Sequence, residues 1–426
     1  MRAAFYECDI TPPIGDFVWG LYRDARPTDV KDRLYARAAV VEGADGTVAA
    51  FVAVDCCALP VGIHEKVSAR IFEYTGISPE HVCISSNHTH WGAPVSDSPE
   101  IDCYADKAYL DVFLRLTADA VILAYKRLDS AEAYYGEGLA EDVAFCRNFI
   151  LKDGRCVTWA RDVSPDVVVG RNAEADPTVR TVIIKRNGTP IGALVNFACH
   201  QCTAGRDAYT GDFSSTMSKE LKRIYGENFV SIYIPGAAGD ITHQKTNDFI
   251  PPPDLCGIIG RKLANAVVEA NKSPKALCGE VEVAFEKINI PHRNLSPEET
   301  ESEIERLKNS FVGEMRARNL AYYKNVATES GNYALQAIRL GELCIYAMPG
   351  EVFADVGRRV TDNSDYDFRI LIHNCNTYCG YIPTKGAFGK NYDLYETSLC
   401  YHSCLIPEAG EIMTDKLLEL GEAIKK

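Results

Sequence analysis

The chain contains no run of about 18 consecutive apolar residues, so nothing in it reads as a membrane-spanning helix. Its opening stretch, Met1 to Asp9, lacks the apolar core of a secretory signal, and a soluble, cytoplasmic protein is expected. Basic clusters are missing too. With a net charge of -14 and no concentrated Lys or Arg, neither nucleic acid nor an anionic membrane surface fits as a partner, and stable membrane insertion is not expected. No Pro/Gly/Ser-rich linker, charge block or low-complexity run divides the 426 residues, and no internal repeat is visible. The expected organisation is one domain over 1–426, or two intimately packed lobes. An apolar share of 46% and a charged share of 24% are those of an ordinary globular protein. Composition therefore leaves small-molecule chemistry, with self-association into a homo-oligomer still open.

Several of the 16 cysteines lie inside apolar stretches, as Cys56, Cys57, Cys83 and Cys344 do, and read as reduced core thiols. Two close pairs, Cys375 with Cys379 and Cys400 with Cys404, leave open a second metal site or a redox pair.

Strands are expected from Ala3 to Ile10, Leu34 to Val41 and Val48 to Val54, then a helix from Gly62 to Tyr74 closed by Gly76. Spacings of three and four apolar residues give a helix over Asp106 to Arg127, whereas Ala133 to Ala175 reads as short strands and polar turns. A hairpin follows, Val179 to Lys185 and Ile191 to Ala198 around Asn187-Gly188. After it come a helix from Ser214, a strand over Phe229 to Ile234, a helix over Leu255 to Ala270 and a strand over Val281 to Ile290. Ser296 to Glu299 caps a charged helix with Ile304, Leu307 and Phe311 on one face. Strands Tyr333 to Leu340, Leu343 to Ala347 and Phe368 to His373, with a last helix over Gly410 to Ala423, complete an α/β fold. Its strands and helices mix without strict alternation, so mixed sheets flanked by helices are expected.

Four strand ends carry residues suited to chemistry. Val82-Cys83-Ile84 runs into His88-Thr89-His90, where alternation along an extended chain would turn both imidazoles to one side. Ile191 to Ala198 ends at Cys199-His200, Leu343 to Ala347 ends near Glu351, and Phe368 to His373 runs toward Tyr378 and Tyr381. Imidazoles, a carboxylate and a phenol form a donor set suited to zinc. Each has a plainer reading as well. Glu351 suits the start of a helix, Tyr378 and Tyr395 suit packing, and Asp9, Asp55 and Arg37 suit buried hydrogen bonding. A Cys199/His200 dyad is geometrically poor, because neighbours on a strand face opposite ways.

Several segments, in order, resemble the neutral/alkaline (non-lysosomal) ceramidase family of zinc-dependent amide hydrolases. Cys8-Asp9-Ile10-Thr11-Pro12 resembles its opening D-I-T block, and His88-Thr89-His90-Trp91-Gly92 its H-T-H-S-G signature. Asn196-Phe197-Ala198-Cys199-His200 is similar to its second histidine strand, and Gly239-Asp240-Ile241-Thr242 to its G-D-V-S loop. Pro349-Gly350-Glu351 matches its P-G-E turn, and Asn376-x-Tyr378-x-x-Tyr381 its N-x-Y-x-x-Y block. The resemblance implies a ceramidase-like catalytic domain with one Zn2+ per chain on His88, His200, Glu351 and Tyr381. It places His90 and Arg147 at the reacting carbonyl, Asp240 behind them, and Thr242 where the family has its serine. His243 stands for the usual Pro, and Trp91, a large residue in place of serine, is expected to reshape the mouth. With His243 and Tyr378, Trp91 is expected to touch substrate. Neither the family's immunoglobulin-like C-terminal domain nor its secretory signal is seen, which points to an amide smaller and more soluble than ceramide. A non-hydrolytic metal- or ligand-binding relative is the alternative.

Overall fold

The computed structural model describes residues 1–426 except 22, 161–162, 205–206, 247–248, 309–312 and 426. Its organising feature is a unit that occurs three times. Each unit is a strand, a hairpin of two more strands, a helix, a fourth strand and a second helix. In the first unit these are Arg2–Asp9, Tyr35–Glu42, Val48–Val54, helix Ile63–Thr75, Val82–Ser86 and helix Lys107–Tyr125. In the second they are Glu132–Leu139, Thr178–Arg186, Thr189–Phe197, helix Asp212–Tyr225, Val230–Pro235 and helix Leu255–Ala270. In the third they are Val281–Pro291, Ser330–Leu340, Leu343–Ala347, helix Ala354–Asp362, Phe368–Ile372 and helix Ala409–Ala423.

Pairing repeats as well. First with second strand and second with third are antiparallel, while third with fourth is parallel across the helical crossover. All three sheets keep the same strand order. The repeat is invisible in the sequence because it lies in topology and not in side chains. The loops between first and second strands, 10–34, 140–177 and 292–329, carry unrelated sequence and prevent a fixed period.

One face of each sheet meets the other two in a shared apolar core, where Ala39 and Phe51, Val182 and Ile232, and Ile345 and Ile370 come together. Helices cover the outer faces and close a separate core over each sheet. Burial on both faces explains why these strands read as nearly continuous apolar runs.

Local signals in the sequence act as expected. Asn187 and Gly188, at φ 50° and 75°, make the tight turn of the second hairpin. Asp106 caps its helix by accepting from the Ala108 and Tyr109 amides, and Ser296 and Glu299 form a reciprocal capping box. Two departures stand out. Residues 132–139 form an unbroken strand paired along its length with Thr178–Arg186. The charged helix ends at Lys308 and a second helix, Gly313–Val326, follows it; Phe311 lies outside the described residues. No helix among the described residues is long and apolar enough to cross a membrane.

Candidate metal centre

First, third and fourth strands of a unit run the same way, so the loops that leave them emerge at one edge of the sheet. Ligands gather at such carboxyl ends in open α/β sheets, and here three such edges face each other. The loop after the first unit's fourth strand brings His88, the loop after the second unit's third strand brings His200, and the loop after the third unit's third strand brings Glu351. All three side chains are buried, and their ligand atoms lie within 4.8 Å of one another.

His88 Nδ1 donates to the Cys57 carbonyl at 2.7 Å, and His200 Nδ1 to the Ile241 carbonyl at 2.9 Å. These bonds hold both Nδ1 protons outward and leave both Nε2 atoms facing inward. Glu351 Oε2 sits 3.3 Å from His88 Nε2 and 3.2 Å from His200 Nε2. Yet His88 Nε2 and Glu351 Oε2 have no hydrogen-bond partner. Two buried polar atoms this close with no hydrogen-bond partner are costly unless a cation lies between them, so this donor set fits a metal ion. The other carboxylate oxygen, Oε1, accepts from the Tyr378 hydroxyl at 2.8 Å. Tyr381 pairs in register with Glu351 in a short parallel ladder, which holds its phenol in the same cavity wall.

Arg147 is locked in place by the short ladder Phe145–Cys146 with Ile241–Thr242. Its Nε donates to Glu396 at 2.6 Å and its Nη2 to the Gly239 carbonyl and the Tyr381 hydroxyl, at 2.7 Å and 3.1 Å. Its Nη1 lies 3.3 Å from His200 Nε2. Glu396, fully buried, also accepts from Thr158 at 2.7 Å.

Charge in this cluster is strongly biased. Burial, reinforced by the Arg147 guanidinium, holds His200 well below the usual imidazole range. Burial would also depress His88, but the facing Glu351 carboxylate lifts it well above that range, and Glu351 is held well down in return despite its burial. His90 is lowered to about 3 by burial and by His88. Its Nδ1 donates to the Gly20 carbonyl at 3.0 Å, leaving Nε2 without a hydrogen-bond partner, and its ring is 5.0 Å from that of His88.

The proximity of His88 and His90 does not come from strand alternation. The strand ends at Ser86, and His88 adopts a left-handed φ of 67°, a strained conformation typical of functional sites. Glu351 does not open a helix either; it lies in a two-residue strand, and Phe353 caps the helix that follows. Asp240 instead serves that helix, accepting from the Ala354 amide at 2.8 Å, and burial lifts its carboxyl to about 7.

Three residues expected at the substrate fall elsewhere. Trp91 turns into the core between the first sheet and its helices, so it does not shape the mouth. Thr242 is buried in its ladder away from the cavity wall. His243 lies behind Cys202, with Nδ1 3.8 Å from that sulfur. Cys375 packs in the shared core, and Cys379 and Cys404 in the third unit's outer core, so the paired cysteines do not form a metal group among the described residues. Among the described residues no disulfide joins any of the cysteines. The Arg37–Asp55 pair is buried, as expected, whereas Asp9 is partly exposed and binds Thr11 and Arg33.

The cavity over the cluster measures about 230 Å³ and is walled by Trp19, Trp159, Tyr378, Tyr381, Tyr395 and Tyr401. Nothing in the sequence singled out Cys57, Glu396, His402, Trp19 or Trp159 for this site. Each is a single residue without a spacing pattern, and only Cys57 stands at an expected strand end.

No protein-family model matches the chain, and no curated protein matches it. In structure the chain is similar to neutral ceramidase from Pseudomonas aeruginosa, with a TM-score of 0.79 and 18% identity, over 99% of this chain and 74% of that one. It is also similar to a ceramidase complexed with C2, with a TM-score of 0.76 and 17% identity, over 99% and 75%. The mixed-sheet α/β architecture described above is therefore the fold of the neutral ceramidases.

Proposed function

We propose that the chain is a zinc-dependent hydrolase of a linear amide, with one ion per chain held by His88, His200, Glu351 and Tyr381. The observation that carries this reading is the convergence of His88 Nε2, His200 Nε2 and Glu351 Oε2 on one buried point, with both imidazoles anchored from behind through Nδ1. When bound, zinc supplies Lewis acidity at the scissile carbonyl and lowers the pKa of a coordinated water to about 7.

The chain's own groups complete the site. Arg147, clamped by Glu396, keeps a fixed positive charge beside the ligand set and stabilises the oxyanion that develops on the carbonyl. His90 is neutral, with Nε2 aimed as an acceptor at an N–H or O–H in the cavity. Tyr378 fixes the Glu351 carboxylate through Oε1. Asp240 is a positioning residue, holding the helix that follows Glu351.

A cavity of about 230 Å³ falls below the roughly 300–1,000 Å³ usual for ligand sites. Apart from Arg147 and Glu351, both committed to partners, its lining carries no Lys, Arg, Asp or Glu among the described residues. Both features favour a compact, uncharged acyl group over a long-chain lipid amide. The residues that motivated a non-hydrolytic alternative, Thr242, His243 and Trp91, lie outside the cavity lining and lend it no support.

The test is metal analysis of the purified protein beside its His88→Ala and Glu351→Ala variants, with turnover of N-acyl amines of increasing acyl length. One ion per chain, lost in both variants together with hydrolysis, and activity declining with acyl length are the expected results. Full hydrolysis by chelated, metal-free protein would overturn the reading, as would activity that only a thiol-blocking reagent removes.

A further inference from the structure

We infer that the cavity holds a second cation position, selective for thiophilic ions, between Cys57 Sγ and His90 Nε2. It rests on the proposed occupancy of the first position by an ion on His88, His200 and Glu351, which it adjoins.

Cys57, His88 and His90 offer ligand atoms within 4.8 Å of one another, and His88 is shared with the first cluster. Cys57 Sγ and a His90 ring nitrogen therefore lie within 4.8 Å of each other, within the reach of one ion whose metal–sulfur bond is about 2.3 Å. His88 itself is committed elsewhere, through Nδ1 to the Cys57 carbonyl and through Nε2 toward Glu351. Cys57 and His90 both line the cavity, and His90 Nε2 is a buried acceptor without a hydrogen-bond partner.

The threefold frame gives an independent reason for this placement. Cys57 follows the third strand of its unit by three residues, as His200 does in the second unit, and Glu351 follows by four in the third. The thiol therefore occupies the position from which the other two units present ligands. Gly20 packs directly against Sγ and accepts the Nδ1 proton of His90, so one backbone loop seats both donors.

Binding exchanges a proton for the ion. The Cys57 thiol proton leaves to solvent, a sulfur–metal bond forms, and His90 Nε2 gives its lone pair; solvent fills the remaining positions. Two protein ligands make an exchangeable site. An ion there sits beside the aromatic wall where the acyl group is proposed to lie, and it competes with substrate.

The probe is cadmium, titrated into zinc-loaded protein carrying Cys278→Ser, which removes the exposed thiol. Metal content, the thiolate-to-cadmium absorption band and protection of Cys57 from alkylation by mass spectrometry are read together. One added cadmium per chain is expected, with the zinc retained, Cys57 protected at least tenfold and turnover inhibited. In Cys57→Ala, in volume-conserving Cys57→Ser and in His90→Ala, cadmium uptake falls at least tenfold while the first ion stays. Uptake and absorption unchanged in the Cys57 variants, or Cys57 alkylated as fast with cadmium as without, would overturn the inference. Protein that takes up no zinc at all fails the proposed function instead, and the two failures are distinguishable.

Discussion

The first and third units share a topology and even a backbone device, yet they put different chemistry on it. Two residues beyond the fourth strand stand His88 and Asn374, at φ 67° and 54°. Each donates its amide to the loop after the third strand of its own unit, His88 to Cys56 at 3.1 Å and Asn374 to Gly350 at 2.8 Å. One unit spends that position on an imidazole that faces the ligand cluster. The other spends it on an amide whose nitrogen lies 3.1 Å from His88 Nδ1. The repeated scaffold supplies a place and a backbone angle, while the side chain decides whether the place binds or supports.

The sharpest way to break this comparison is to remove each side chain in turn. His88→Ala should abolish ion uptake and turnover, and Asn374→Ala should weaken ion affinity only about 10–100-fold, as loss of a group packed behind a ligand does. Titration with a fluorescent zinc competitor separates the two, and equal losses would mean that Asn374 binds the ion itself.

Next in size is the arginine clamp between the second and third units. Arg147→Ala should lower kcat by about 10²–10³-fold with ion content intact. Glu396→Ala leaves a buried guanidinium unpaired and should destabilise the fold by about 3–5 kcal/mol, read by urea unfolding. A Glu396 variant of unchanged stability would show that water, not Glu396, balances Arg147.

Asp240 gives a smaller, pH-dependent effect. Burial raises its carboxyl from 3.8 to about 7 in the folded chain, so folding favours the protonated form. Its contribution to stability is full below the unfolded value and is lost as pH rises through about 7, with a slope of about 1.4 kcal/mol for each pH step of one between those values. Asp240→Asn keeps an acceptor for the Ala354 amide and should flatten the stability profile between those limits relative to the wild type. Parallel profiles in metal-free protein would place the proton elsewhere.

The smallest effect is expected at Trp91. Trp91→Phe should leave KM unchanged and cost less than the roughly 3–5 kcal/mol of a full aromatic truncation, because the ring packs beneath the first unit's helices. A KM shift would return Trp91 to the cavity mouth.

The strands, the hairpin turn at Asn187-Gly188 and the capping signals at Asp106 and Ser296 were legible because their causes act within a few residues. His88, His200 and Glu351 were legible as strand-end donors for the same reason, whereas the family resemblance alone sets Tyr381 ahead of Tyr378; the structure brings the first three into one cluster and sets both tyrosines on its wall. Glu396 was not, because a lone acid among tyrosines acquires meaning only when Arg147, far away in sequence, points at it. Trp91 misled for the opposite reason: adjacency to a histidine does not set the direction of a side chain once the backbone turns left-handed at His88.

What the sequence determined by itself was the set of local pieces, since periodicity, turn chemistry and capping are short-range effects. Only the tertiary structure decided that the pieces form one unit three times over and that the three carboxyl-end edges meet. That meeting depends on the shared core between the sheets and on cross-unit bonds such as Asn376 to Ile84, which join residues with no local signal linking them.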